Sequence, residues 1–286
     1  MLPSTPLHYL ILEKDFLALV MTSGNISEEP IAIDNDDAFK RLSGIADYFL
    51  IHDRDILIRS DDSIINRQSG NMSFIRRSKG YVPVPVFIKN NHSAVLACGA
   101  ELKNTVCILK NNYAFLSQHI GDLENLTTLD FFKLTVTHLE RILEIQPERI
   151  ACDMHPDYLS TRYAKEQNQI PTIEVEHHHA HIVSCMAEHK LDGPVIGLSF
   201  DGTGLGTDGR IWGGEVLVAE LGELGYDSFE ETPDGLRARP VGCTSPPPPI
   251  AYRKLPPALY LRTSAVWTLV TKMSPAAAAS SMSTMR

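Results

Sequence analysis

Four histidines fall within five residues, His177, His178, His179 and His181, and lead into the apolar stretch Ile182–Ala187. On a helix, positions four apart stand one turn above each other, so His177 and His181 share a face and can hold one metal ion through imidazole nitrogens. The glycine-rich turn Asp201-Gly-Thr-Gly-Leu-Gly-Thr-Asp-Gly follows the strand-like run Pro194–Phe200. Gly202, Gly204 and Gly206 leave its backbone N–H groups uncovered, which makes it a candidate phosphate cradle. Metal and phosphate together point to chemistry on a nucleotide or an acyl phosphate. Two plainer readings stand beside this one: a solvated histidine tract that binds metal adventitiously, and an ordinary loop between strands.

The order of elements is what joins the two motifs. Thr172-Ile-Glu-Val reads as a strand, the histidines open a helix, and a second strand delivers the glycine turn, an α/β progression. On that helix His178 and His179 fall to packing or to supporting the ligands rather than to ligation. Upstream, Thr128–Ile145 carries Leu129, Phe132, Leu139, Ile142 and Leu143 near helical spacing, and Pro147 ends the run. Ala94–Cys98, Thr105–Lys110 and Tyr113–Ser117 read as three strands. Nearer the start, Leu17–Thr22 and Ala46–Ile51 are strand candidates, and Asp34–Ser43 is a helix opening on a capping aspartate. Tyr81-Val-Pro-Val-Pro-Val-Phe makes an extended connector because two prolines forbid a helix, placing a boundary near residue 90.

Length and composition bound the rest. A chain of 286 residues allows about two domains. With Lys+Arg 26 against Asp+Glu 35, a broad, sequence-blind grip on nucleic acid is not expected of the chain as a whole, while a local basic patch stays open. Cys98, Cys107, Cys152, Cys185 and Cys243 are odd in number and form no C-x-x-C pair, which fits reduced thiols and a cytoplasmic location. No apolar run is long enough to span a membrane, so no membrane association is expected. Residues 232–286 differ in kind: nine of the 18 prolines lie there, and seven basic residues face the single acid Asp234. No hydrophobic period is visible, so this tail is expected to be disordered or out of frame. Within it, Leu255–Val270 is the segment best able to fold back.

These motifs, taken in order, resemble the HypF carbamoyltransferase family of nickel-iron hydrogenase maturation. Val20-Met-Thr-Ser-Gly-Asn-Ile-Ser-Glu-Glu-Pro, Asp61-Asp-Ser and Arg76-Arg-Ser-Lys-Gly-Tyr-Val-Pro resemble its YrdC-like nucleotide-binding domain. Gly99-Ala-Glu-Leu-Lys-Asn-Thr, Ser117-Gln-His-Ile-Gly-Asp, Asp153-Met-His-Pro-Asp-Tyr, Glu176-His-His-His-Ala-His and the glycine turn resemble its TsaD-like domain, of the actin/sugar-kinase ATPase superfamily. The resemblance implies an α/β chain in three parts. Residues 1–88 would be the C-terminal part of a YrdC-like domain, 89–231 the N-terminal part of a TsaD-like domain, and 232–286 the tail.

The implied chemistry uses ATP and carbamoyl phosphate to make a carbamoyl adenylate, whose carbamoyl group passes to the C-terminal cysteine of HypE. Ser23, Asn25, Ser63, Arg76 and Arg77 would then contact nucleotide or phosphate, together with Gly202, Gly204 and Gly206. His177 and His181 would bind a divalent metal, zinc or iron, with Asp201 as the catalytic carboxylate beside them. His119 and Asp122 are held between substrate contact and a packing or turn role. Family members begin with an acylphosphatase-like domain and cysteine-pair zinc fingers that these residues do not match, and their TsaD-like domain continues further. An incomplete, weakly active or inactive chain is therefore expected. Two alternatives remain: a tRNA threonylcarbamoylation-type transferase, and an RNA-binding or scaffold role using Arg54, Arg59, Arg67, Arg76, Arg77 and Lys79.

Overall fold

The computed structural model describes residues 3, 5–13, 17–27, 29–68, 71–219, 227–232, 235–240, 259–263 and 266–272. The chain divides into two compact units at Asp61/Asp62.

The first unit holds two short helices. In α1 (Pro6–Leu12) the Thr5 side chain accepts the His8 N–H and proline occupies the first turn, where its missing N–H costs nothing. In α2 (Asn35–Leu42), Asp34 caps the Asp37 N–H at 2.9 Å, as the sequence predicts. Arg41 pairs with Asp37 within this helix and ties the helix to the preceding loop through Glu29 and the Pro30 carbonyl. The strands expected at Leu17–Thr22 and Ala46–Ile51 are not formed. Leu17 and Val20 are 106% and 98% exposed, and no strand is present among the described residues of this unit to supply ladder bonds.

The second unit begins with the hairpin β1 (Ile64–Gln68) and β2 (Asn71–Arg76). It continues into β3 (Val86–Ala97) and β4 (Cys107–Leu116), α3 (Leu126–Leu143), β5 (Arg149–Asp153), α4 (Leu159–Glu166) and β6 (Thr172–Val175). These strands form a sheet in the order β4-β3-β5-β6, antiparallel at β4-β3 and parallel from β3 onward. β3 runs unbroken through residue 90, and the predicted pair Thr105–Lys110 and Tyr113–Ser117 is the single strand β4. Asn111 lets that strand continue: it takes φ 55° at an irregularity in the β3-β4 register. Helix α3 matches its predicted span closely, but Glu144 in the left-handed conformation ends it before Pro147 is reached. It buries Phe131, Phe132, Thr135, Val136 and Leu139.

Next come α5 (His177–Glu188), β7 (Val195–Ser199), the small hairpin β8 (Gly204–Leu205) and β9 (Ile211–Trp212), and β10 (Glu215–Ala219). Ile182, Cys185 and Met186 of α5 join Val195 of β7 with Leu217 and Ala219 of β10 in a dry cluster. Gly197 is required there, since a Cβ on it would stand 2.4 Å from Ile182 Cδ1. A second sheet is completed by β11 (Asp227–Thr232), β12 (Gly235–Pro240), β13 (Leu259–Thr263) and β14 (Val266–Lys272), in the order β12-β11-β10-β7-β14-β13. The expectation of a tail without structure is thus corrected for its strand-forming stretches. β13 and β14 make an antiparallel pair, and β14 lies against β7. Leu259-Tyr-Leu-Arg-Thr and Val266-Trp-Thr-Leu-Val-Thr are rich in β-branched and aromatic residues, a preference that an open edge on β7 can satisfy. The other residues expected in the tail lie outside the described ones.

Candidate metal centre

The first turn of α5 is held by a carboxylate that is completely buried. Glu176 accepts the backbone N–H of His178 at 3.0 Å and of His179 at 2.7 Å, and its Oε1 lies 2.9 Å from His178 Nδ1. Burial alone would raise its pKa, but these donors outweigh it and hold the carboxyl below its usual range. His178 is equally buried. It packs on β8 so closely that a Cβ on Gly204 would meet His178 Cε1 at 2.5 Å. His178 is therefore a packing residue that fixes the rotation of α5, as its place in the sequence predicts.

With the helix fixed, His177 and His181 face Asp201, two residues past the end of β7. His181 Nε2 lies 3.3 Å from His177 Nε2 and 3.3 Å from Asp201 Oδ2, while His177 Nε2 lies 2.5 Å from the same oxygen. Zinc with ligands at 2.0–2.1 Å in a tetrahedron separates them by roughly 3.3 Å, so two edges of the triangle already have that length and the third must open. Asp201 Oδ2 is buried and accepts no hydrogen bond, despite its short distances to both rings. Proximity without donor alignment is what lone pairs converging on a common point produce, so the three residues fit a divalent cation.

Without metal, the same geometry stores a proton. Burial disfavours a charged His177, yet Asp153 at Nδ1 and Asp201 at Nε2 outweigh it and raise the ring to about 10. For Asp201, burial is likewise overridden by His177 and His181, and the carboxyl is held far below its usual range. A group whose pKa is raised by folding contributes stability that is complete below its unfolded value and lost as pH passes the folded one. Metal-free protein should therefore lose stability between about pH 6.5 and about pH 10, and His177→Ala should flatten that slope in urea titrations run across the window.

The glycine turn is the hairpin β8–β9, and its glycines have separate reasons. Gly204 makes room for His178, and a Cβ on Gly206 would lie 2.1 Å from Trp212 Cε2. The Gly206 N–H is also spent on the Arg210 carbonyl at 2.8 Å. Only Gly202 of the three has open space where a side chain would go. Packing thus accounts for Gly204 and Gly206 without a phosphate.

Among the phosphate candidates, Ser63 Oγ donates to the Lys79 carbonyl and accepts the Ser78 N–H, both at 2.9 Å, bracing the segment after β2. Arg76 Nε donates to the Asp62 carbonyl at 2.8 Å, and Arg77 donates to the Val84 carbonyl at 2.7 Å. Arg76 and Arg77 nevertheless line a cavity of about 670 Å³ in the second unit, whose walls include Phe74, Leu116, His119 and His181. In the first unit Ser23 is exposed, and Asn25 shapes its own turn by donating to the Ile26 and Glu29 carbonyls. Asp122 accepts the Lys103 N–H at 2.6 Å, a turn role. Asp153 and Glu176 carry no individual role in the sequence reading. Among the described residues, no helix is long and apolar enough to cross a membrane.

Family models divide the chain into a Sua5/YrdC-type part and a Kae1-like part, the latter carrying the ligand triangle. The model described as "HypF Kae1-like domain" matches residues 90–188, and "Carbamoyltransferase, Kae1-like Domain, second subdomain" matches 197–227. The Sua5/YciO/YrdC model, described as "Telomere recombination", matches residues 1–78. The chain is 45% identical over 261 residues to Carbamoyltransferase HypF2 of Cupriavidus necator, covering 83% of this chain and 32% of that protein. It is 47% identical over 224 residues to Carbamoyltransferase HypF of Synechocystis sp., covering 78% of this chain and 29% of that protein. A crystal structure of full-length HypF in its phosphate- and nucleotide-bound form superposes with a TM-score of 0.75 at 48% identity, covering 80% of this chain and 36% of that one. The chain belongs to the HypF carbamoyltransferase family and spans about a third of the length of the curated relatives it matches. The α/β class with YrdC-like and TsaD-like parts agrees with this, the second part matching under the name Kae1-like.

Proposed function

We propose that this chain carries carbamoyl-transfer chemistry in nickel-iron hydrogenase maturation, using carbamoyl phosphate and ATP through a carbamoyl adenylate to modify the C-terminal cysteine of HypE. The observation that carries this reading is the convergence of His177, His181 and Asp201 on one point. Those three residues would hold zinc or iron, which supplies Lewis acidity toward a carbonyl or phosphate oxygen. The cavity that runs from the Arg76 and Arg77 side chains to His181 supports it further, because forked cations suit an anionic phosphate ester at one wall while the acyl group faces the other. Ser23 and Asn25 would belong to the nucleotide pocket of the first unit.

Mass spectrometry of the HypE C-terminal peptide, after single-turnover incubation with carbamoyl phosphate, ATP and zinc, tests the reading. The expected product is a carbamoyl adduct that requires ATP and is lost in Asp201→Ala. Single turnover reads the transfer step itself, apart from product release. Wild-type protein that yields no adduct, or an adduct that survives the substitution, would remove the proposed role.

A further inference from the structure

We propose that Asp153 is a positioning residue that decides which ring nitrogen His177 offers to a metal ion; this rests on the metal-site reading above. Asp153 ends β5 and is 8% exposed. Its Oδ2 lies 2.7 Å from His177 Nδ1, and its Oδ1 accepts the His155 N–H at 2.8 Å. The backbone beneath is pinned as well, since the Asp153 carbonyl accepts the Thr161 hydroxyl at 3.0 Å. Pairing of β5 with β6 sets Asp153 opposite Val175, two residues before His177, so the carboxylate reaches the ring through sheet register rather than a flexible loop.

An ionised carboxylate can only accept, so the ring nitrogen facing it carries hydrogen. In the neutral ring that a metal requires, the lone pair is then on Nε2, the atom that faces His181 and Asp201. Asp153 is therefore outside the ligand triangle and acts on it through His177. Asp153→Asn reverses the polarity of this contact at almost constant shape. The His155 N–H demands an oxygen at the Oδ1 position, so the amide NH₂ turns toward His177 Nδ1. A donor there favours the Nε2–H tautomer and takes the lone pair away from the metal.

Zinc affinity of the full chain, measured by competition with a chromophoric chelator, should fall about 10–100-fold in Asp153→Asn. Asp153→Ala, which leaves Nδ1 to water, should be impaired less than the isosteric amide, an order that a packing role would reverse. Equal zinc affinity in wild type and Asp153→Asn, or the reversed order, overturns the proposal. If Asp153→Ala fails to fold, the wild-type and Asp153→Asn affinities decide alone. Wild type that binds no zinc defeats the metal-site reading instead. Nitrogen-15 spectra of the metal-free protein then judge Asp153 separately: an exchange-protected His177 Nδ1 proton, altered in Asp153→Asn, supports the orienting contact, and its absence sinks it.

Discussion

Tag-free protein equilibrated with zinc and passed through a desalting column should retain about one equivalent, and His177→Ala or His181→Ala should each reduce that to near zero. Three donor atoms from two imidazoles and one carboxylate make a usable site, and removing any one leaves two, which exposed side chains anywhere can match. The loss should exceed the roughly 100-fold that a supporting residue outside the ligand set can cost. His52→Ala, on the exposed surface of the first unit, should leave the stoichiometry unchanged. Metal analysis by mass spectrometry reads all of these directly. Full retention in both α5 substitutions would mean that the ion sits elsewhere.

Glu176→Ala should be the most destabilising single change near the site, costing on the order of 3 kcal/mol or more. The substitution strands three donors in a dry region: the N–H groups of His178 and His179 and the His178 ring. It also removes a helix cap, which alone costs about 1 kcal/mol. Glu176→Gln keeps the shape and one acceptor oxygen, so it should recover part of the loss. Urea unfolding monitored by circular dichroism measures both. A cost below that of an ordinary surface substitution, about 0.5 kcal/mol, would show that α5 is held by its apolar face alone.

Helices α2, α3 and α5 and the ligand pair were legible because their causes are local. Asp34 and the apolar spacing of α3 act within a turn or two, and His177 and His181 are related by helical geometry alone. Asp201 was legible as a neighbour because the strand before it ends where the glycine turn begins. Asp153 was not: it is 24 residues from its ring, and only the β5-β6 register brings the two together. The glycines show a different gap. A run of them is read most readily as a phosphate cradle, but what Gly204 and Gly206 make room for depends on a side chain elsewhere, His178 for one and Trp212 for the other. The unformed strands at Leu17–Thr22 and Ala46–Ile51 fail for a related reason, since an apolar run becomes a strand only where a neighbour completes its ladder. Strand propensity worked the other way in the tail, where β14 found an edge on β7 that no local pattern announces.

The ligand triangle joins the start of α5 to Asp201 just past the end of β7, so an ion held there would be a removable cross-link between segments that meet only once α5, β7 and β10 have packed. Such a link contributes nothing to a transition state in which that packing is still unfinished. Its effect then falls on the escape from the native state: bound metal should lengthen the lifetime of the folded protein while leaving its rate of formation unchanged.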